Sequence, residues 1–284
     1  MKHIAPQVIK QASLQQTHSY FWTARMIPDG ETYLFGDNKI SLATPTRGKS
    51  RHTFGGKDRF RGSSRADCDG ILVHLLHCFD LTDNDLPFDL PGMRWLPLYY
   101  CFDFRVNTIG YRFRDDESLE FFFDRDDPHT SEKEEWPDDN YPLEFPEVAI
   151  QVDALTYDPT NFDDVKVWTG VFGIGKLSPQ DQERLRDDTL QWFEICNAPE
   201  PESEEELWDG AHMPFMQGRP GSQCMNPVCE YSQQERQGQL RTIAITGNTP
   251  VDGVHVFGPH GDGIMFIFQA CEKCQTIRVE NQCS

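Results

Sequence analysis

Two cysteine pairs constrain this chain more than any other feature of its sequence. Cys224 and Cys229 bracket Met225-Asn226-Pro227-Val228 in a C-x4-C spacing, and Cys271 and Cys274 form a C-x2-C pair within CEKC. A tight turn over either spacing aims both sulfurs at one point, and Asn226-Pro227 favours such a turn. If all four thiolates hold one ion, two segments roughly 40 residues apart must meet in space. A set of four cysteines makes a tetrahedral site with Zn–S bonds of about 2.3 Å and leaves no position for a reactive water. The expected cofactor is therefore structural zinc at Cys224, Cys229, Cys271 and Cys274. The same residues also read as four ordinary thiols, with Cys271 and Cys274 as a redox pair. That pair lacks the βαβ setting and helix N-terminus that lower a thiol pKa in thioredoxin-like motifs. Cys283 is a spare ligand, and Cys68, Cys78, Cys101 and Cys196 carry no metal spacing.

The compartment matters to how cysteines are read. The stretch MKHIAPQVIKQASLQQ lacks the apolar core of a secretory signal. No apolar run approaches the roughly 20 residues of a membrane span. The expectation is a cytoplasmic protein, in which cysteines serve as thiols or metal ligands and not as a disulfide framework.

Strand-like stretches dominate the rest. Residues 71–81, 94–104, 119–123, 148–155, 165–173, 240–246 and 263–270 are aromatic and β-branched, bounded by Gly, Pro, Asp and Asn. One segment within 177–195 has helical character: Ser178 can cap it, Pro179 suits its first turn, and Leu185, Leu190 and Phe193 keep roughly helical spacing. The fold class expected is α+β and β-rich. A weak internal repeat, in which a glycine motif, a strand, a turn and an aromatic strand follow in order, divides the chain. It implies an N-terminal segment over 1–53 and a domain over 54–284. Within that domain the pattern implies two related half-units, roughly 54–165 and 208–284, with a helical and acidic connection. The runs 124–139 and 200–210 are too acidic for a core and read as solvated loops, each with one tryptophan, Trp136 or Trp208.

Charge bounds the partners. The 284-residue chain holds 46 acidic against 26 basic residues, a net charge of −20. Such a surface repels nucleic acid and anionic membranes, whose capture rests on Lys and Arg neutralising phosphates. It attracts cationic partners within a screening length, and it also serves simple solubility.

Other motifs carry less. In HLLHC, His74 and His77 are expected to point to opposite faces of a strand, as buried histidines and not a shared metal pair. The stretch GVFGIGKLS imitates a phosphate loop, but Leu177 stands where the magnesium-binding hydroxyl belongs. Neither a G-x-S-x-G elbow nor an H-E-x-x-H motif occurs. Gln217 and Gln269 each end an aromatic stretch, where they can satisfy backbone groups or hold a ligand.

With these motifs in place, the chain resembles the bacterial YwqG-like family, also called domain of unknown function 1963. The likeness rests on FGG at 54–56, ILVHLLHCFDL at 71–81, LPGMRWLPLYYCF at 90–102 and MPFMQG at 213–218. The second half is also similar to the programmed cell death protein 2 group. Pro214, Gln217, Cys224, Cys229, Phe266, Phe268, Gln269, Cys271 and Cys274 take that group's motif places. The sequence departs at Lys57-Asp58, where proline is expected, at Asp209-Gly210-Ala211, which replaces paired glycines, and in the wider first cysteine pair. The likeness to the programmed cell death protein 2 group implies a β-rich body with zinc and a role in escorting a very basic ribosomal protein.

The resulting expectation is a non-enzymatic, zinc-stabilised interaction protein whose acidic face binds a basic protein, either a ribosomal-type client or a toxin. The alternative is an enzyme or small-ligand binder with a cleft between the half-units lined by His74, His77, Gln217 or His212. A structural subunit of a larger assembly is a third option. The sequence leaves the oligomeric state unknown.

Overall fold

The aromatic and β-branched runs do become strands, and they join one sheet. The structure, a computed structural model, describes residues 32–36, 39–88, 90–103, 106–125, 142–155, 177–195, 220–233, 239–247, 251, 253–254, 256 and 264–283. Eleven strands occur among these residues: β1 (Thr32–Phe35), β2 (Ile40–Pro45), β3 (His52–Phe54), β4 (Val73–Asp80), β5 (Trp95–Cys101), β6 (Val106–Asp115), β7 (Ser118–Arg125), β8 (Val148–Leu155), β9 (Leu240–Gly247), β10 (Ile264–Cys271) and β11 (Ile277–Cys283). The helix α1 spans Pro179–Ile195. Ser178 caps it as its sequence position predicts: its Oγ accepts the Asp181 N–H at 3.1 Å and donates to the Asp181 carboxylate at 2.7 Å. Leu185 is buried, whereas Leu190 is 38% exposed.

The sheet order is β5-β4-β3-β8-β2-β1-β9-β10-β11-β6-β7, and every pair of strands in it is antiparallel. Strands from the two ends of the chain interleave. β9, β10 and β11 lie between β1 and the β6–β7 hairpin, so the body is one continuous sheet and not two separate half-sheets. Residues before Phe54 supply β1, β2 and most of β3 near the sheet's middle. The expected strand over 165–173 lies outside the described residues, as do Trp136, Trp208 and nearly all of both acidic runs.

The sheet curls, because contacts span strands far apart in its order. Tyr100 of β5 packs its ring 4.4 Å from that of Phe266 on β10, and its hydroxyl donates to Asn281 of β11 at 3.0 Å. The β5 edge is closed by a side chain. Tyr111 of β6, fully buried, donates its hydroxyl to Pro97 O at 2.7 Å and accepts the Tyr99 N–H at 3.2 Å. Its ring also meets Tyr99 and Phe121 edge-on or tilted, with centroids 5.4 and 5.3 Å away. A side chain thus does for this edge what a neighbouring strand does elsewhere in the sheet.

The FGG motif shows why two glycines end β3. Gly55 and Gly56 take φ of 60° and 87°, and a Cβ on Gly55 would stand 2.4 Å from Pro146 O. Only glycine combines this left-handed backbone with so close a neighbour.

One expectation is corrected inside the core. His74 and His77 do not part to opposite faces, because the β4–β5 register shifts between Leu75 and His77. The extra residue of a bulge resets the alternation of side chains. Both rings then join one aromatic group: His77 lies 5.4 Å from Phe54, His74 lies 5.4 Å from Phe145, and those two phenylalanines are 5.6 Å apart. His77 Nε2 meets Thr32 Oγ1 at 3.0 Å, and Thr32 donates onward to Thr246 at 2.8 Å, a short polar chain across the interior.

Burial disfavours the charged imidazole and moves both histidines below their ordinary value near 6.5, His74 to about 4 and His77 to about 3. A depressed histidine binds its proton more readily in the unfolded chain, so it weakens the fold as pH drops below about 6.5 and continues to do so until the folded pKa is reached. At pH 5 the expected cost is about 2 kcal/mol for His77 alone. The stability lost by His77→Gln, measured by urea unfolding at pH 7, should therefore shrink by about that amount at pH 5. A gap that does not change with pH would mean His77 is not held neutral.

Candidate metal centre

Each cysteine pair sits on a turn that its own backbone closes. After β10, the Gln275 N–H donates to Cys271 O, and the Cys271 N–H donates to Thr276 O, both at 2.9 Å. Gln275 takes φ of 57°, a left-handed conformation that brings the chain round sharply into β11. In the other turn the Cys229 N–H donates to Asn226 O at 3.0 Å, and Asn226 Oδ1 accepts the Val228 N–H at 3.3 Å. The Cys224 N–H donates to Tyr231 O at 3.0 Å, closing the segment on itself. The Asn-Pro turn legible in the sequence is thus built around a buried asparagine.

The four sulfurs of Cys224, Cys229, Cys271 and Cys274 all lie within 4.8 Å of one another. Cys224 Sγ is 3.5 Å from Cys274 Sγ, and Cys229 Sγ is 3.8 Å from Cys271 Sγ. These contacts exceed the roughly 2.05 Å of a disulfide, and the thiols are free. A tetrahedral ion with metal–sulfur bonds of about 2.3 Å would set sulfurs about 3.8 Å apart along each edge. The donor set therefore fits a four-coordinate ion that prefers thiolate. Cys224, Cys229 and Cys271 are buried with Leu240, and Tyr231 packs beside them, while Cys274 is half-buried.

Polar groups around the sulfurs are uneven. Thr276, fully buried, holds its hydroxyl 3.1 Å from Cys274 Sγ. Burial pushes the Cys271 thiol up to about 11 and Cys224 higher still. Burial would raise Cys274 too, but bonds from the Thr276 hydroxyl and backbone and from the Asn226 side chain outweigh it and bring Cys274 down to about 7. Loading a metal must strip the remaining thiol protons, so affinity falls with acid. On the solvent side Lys273 Nζ meets Glu230 Oε1 at 2.7 Å and links the two turns.

The first turn is seated on the sheet by two devices. Gly110 of β6 leaves room for Met225, since a Cβ there would fall 2.3 Å from Met225 Cβ. Arg278 of β11 donates to Gly221 O at 2.7 Å and to Gln269 Oε1 at 3.1 Å, and pairs with Glu280 at 2.6 Å. Glu280 in turn accepts the Gly221 N–H at 3.2 Å. Gly110→Ala is expected to lift the turn and lower stability by about 1–3 kcal/mol. Adding Met225→Gly should recover most of that loss in thermal melts. If Gly110→Ala leaves Tm unchanged, the seating does not depend on this contact.

The cluster gathers all four cysteines named from spacing. Cys283 lies in β11 at the end away from this turn, opposite Ile264. Cys68, Cys78 and Cys101 are buried elsewhere, and Cys196 falls outside the described residues. Gln269 is spoken for by Arg278, while Gln217, His212, the MPFMQG motif and most of GVFGIGKLS fall outside the described residues. Sequence reasoning missed Asn226 and Thr276 as partners of the site, and Gly110 as its seat. A glycine inside an otherwise strand-like run is the one signal available for Gly110, because it marks close approach of another segment. No family model, curated protein or solved structure matches this chain. No helix among the described residues is long and apolar enough to cross a membrane.

Proposed function

We propose that the chain is a non-enzymatic binding module, stapled by one structural zinc at Cys224, Cys229, Cys271 and Cys274, whose acidic surface takes up a basic protein. The observation that carries it is the closed shell of four sulfurs within 4.8 Å, three of them from buried residues. Zinc suits such a set, and with four thiolates bound it has no open position for substrate or water. Held by Cys224, Cys229, Cys271 and Cys274, the metal would supply a cross-link between the two turns, whose backbone bonds are the chain's own. Of the residues that a cleft would use, His74 and His77 are shut inside the aromatic core, while Gln217 and His212 lie outside the described residues.

The partner class follows from charge. Net charge is −20, and the runs 124–139 and 200–210 together contain 14 acidic and two basic residues. A basic protein, a ribosomal-type client or a toxin, is attracted to such segments and neutralises them. The likeness to the YwqG-like family and to the programmed cell death protein 2 group belongs to the same proposal, supported by the meeting of the motif cysteines at the end of β10. Among the described residues the strongly exposed large apolar side chains are Leu143, Leu190 and Val228, on separate elements.

Titration against a panel of small basic proteins at low and moderate salt tests the proposal. A saturable complex with one of them, weakening as salt rises, is expected. Equal, non-saturating association with every basic protein would leave only general charge attraction and would sink it.

A further inference from the structure

We propose that peroxide converts the four-sulfur cluster to a disulfide between Cys224 and Cys274, across the two turns and not within the C-x2-C pair. The inference deepens the zinc proposal and rests on it for the reduced state. Cys274 is the ligand residue that reaches solvent, whereas Cys224, Cys229 and Cys271 are buried, so an oxidant meets Cys274 first. The sulfur 3.5 Å from it belongs to Cys224. Forming the bond means closing that gap to about 2.05 Å. Cys224 lies in a segment outside the sheet, and its N–H is bound to Tyr231 O within that same segment, so its backbone makes no ladder bond that the move would break. Cys271 cannot move as freely: it is in register with Leu240 of β9, and its N–H is bound to Thr276 O.

The chemistry balances with peroxide as the only oxidant. The Cys274 thiolate attacks one peroxide oxygen, the O–O bond breaks, and hydroxide leaves with Cys274 as sulfenic acid. The Cys224 thiolate then attacks that sulfur, the S–O bond breaks, the S–S bond forms, and a second hydroxide leaves. Two electrons have passed from two sulfurs to one peroxide. Zinc, left with Cys229 and Cys271, is released. Because the new bond joins the same two turns, the segment 220–233 remains fastened to the β10–β11 turn after the metal has gone.

The test uses the reduced, metal-containing full chain and graded hydrogen peroxide. Zinc release is read with a chromophoric chelator, and cross-links are read by peptide mapping without reductant. The expected result is one zinc released per peroxide consumed, with the first cross-linked peptide joining Cys224 to Cys274. The oxidised protein should also melt above the reduced, chelated one. A first cross-link between Cys271 and Cys274, or sulfinic acid at Cys274 with no cross-link, would overturn the proposal. A reduced protein without zinc would count against the metal assignment alone, and the peptide map would still decide the cross-link.

Discussion

Cys271→Ser is expected to reduce bound zinc from about one per chain to near zero and to cost at least about 3–5 kcal/mol of stability. Cys271 ends β10, is fully buried, and contributes a sulfur 3.8 Å from that of Cys229. A structural zinc bound by thiolates is worth about 10–16 kcal/mol in small peptides, as much as a whole domain's stability of about 5–15 kcal/mol. Not all of that is lost from the global fold, because the segment 220–233 can detach while the sheet persists. Serine also leaves three thiols in a pocket shaped for four. Cys68→Ala, at a buried thiol distant from the cluster in sequence and in contacts, is the control: it should retain its metal despite some loss of packing. Metal analysis and thermal melts on both variants decide the matter, and a Cys271→Ser protein that still carries one zinc would refute the ligand set.

Tyr111→Phe is the second large effect. Removing one oxygen leaves the ring contacts with Tyr99 and Phe121 in place but takes the partner from two backbone groups at once, Pro97 O and Tyr99 N. Both residues are buried, so no water replaces the hydroxyl. Each buried polar group left unmade costs about 1–3 kcal/mol, giving roughly 2–5 kcal/mol together. Chemical unfolding would show this as a lower midpoint, and amide exchange at Tyr99 should quicken far more than in β9 or β10. A loss under about 0.5 kcal/mol would mean the β5 edge is not closed by this hydroxyl.

Local chemistry was legible where it decides local structure. The run 148–155 is β8 to the residue, the Ser178 cap forms as its spacing implies, and the four cysteines converge. Elements that take their identity from neighbours were harder to see. β1 has four residues and β2 contains a proline, and both are strands because they are paired on both sides in the sheet's middle. β11, IRVENQC, is polar along much of its length, since Arg278 and Glu280 spend their charges on each other and on Gly221. The parity of His74 and His77 depends on a bulge that no composition rule marks. Order in the sheet was illegible for a related reason: it depends on which distant edges meet, and strand propensity does not encode that.

The position of β11 has a consequence for how the protein is made. Thr32 of β1 bonds to Thr246 of β9, 214 positions later, and the β6–β7 hairpin is paired into the sheet through β11. β1 can pair with β2 and β6 with β7 as they emerge, but a ribosome delivers eight strands before β1 meets its second neighbour, β9, and ten before β6 meets β11. Until Ile277–Cys283 has emerged, those strands wait with open edges, and closing such long loops is slow. Open edges on a nascent chain invite pairing with other chains. Recombinant yield should accordingly depend on how fast the chain is translated and on whether holding chaperones are present, more than on the stability of the finished sheet.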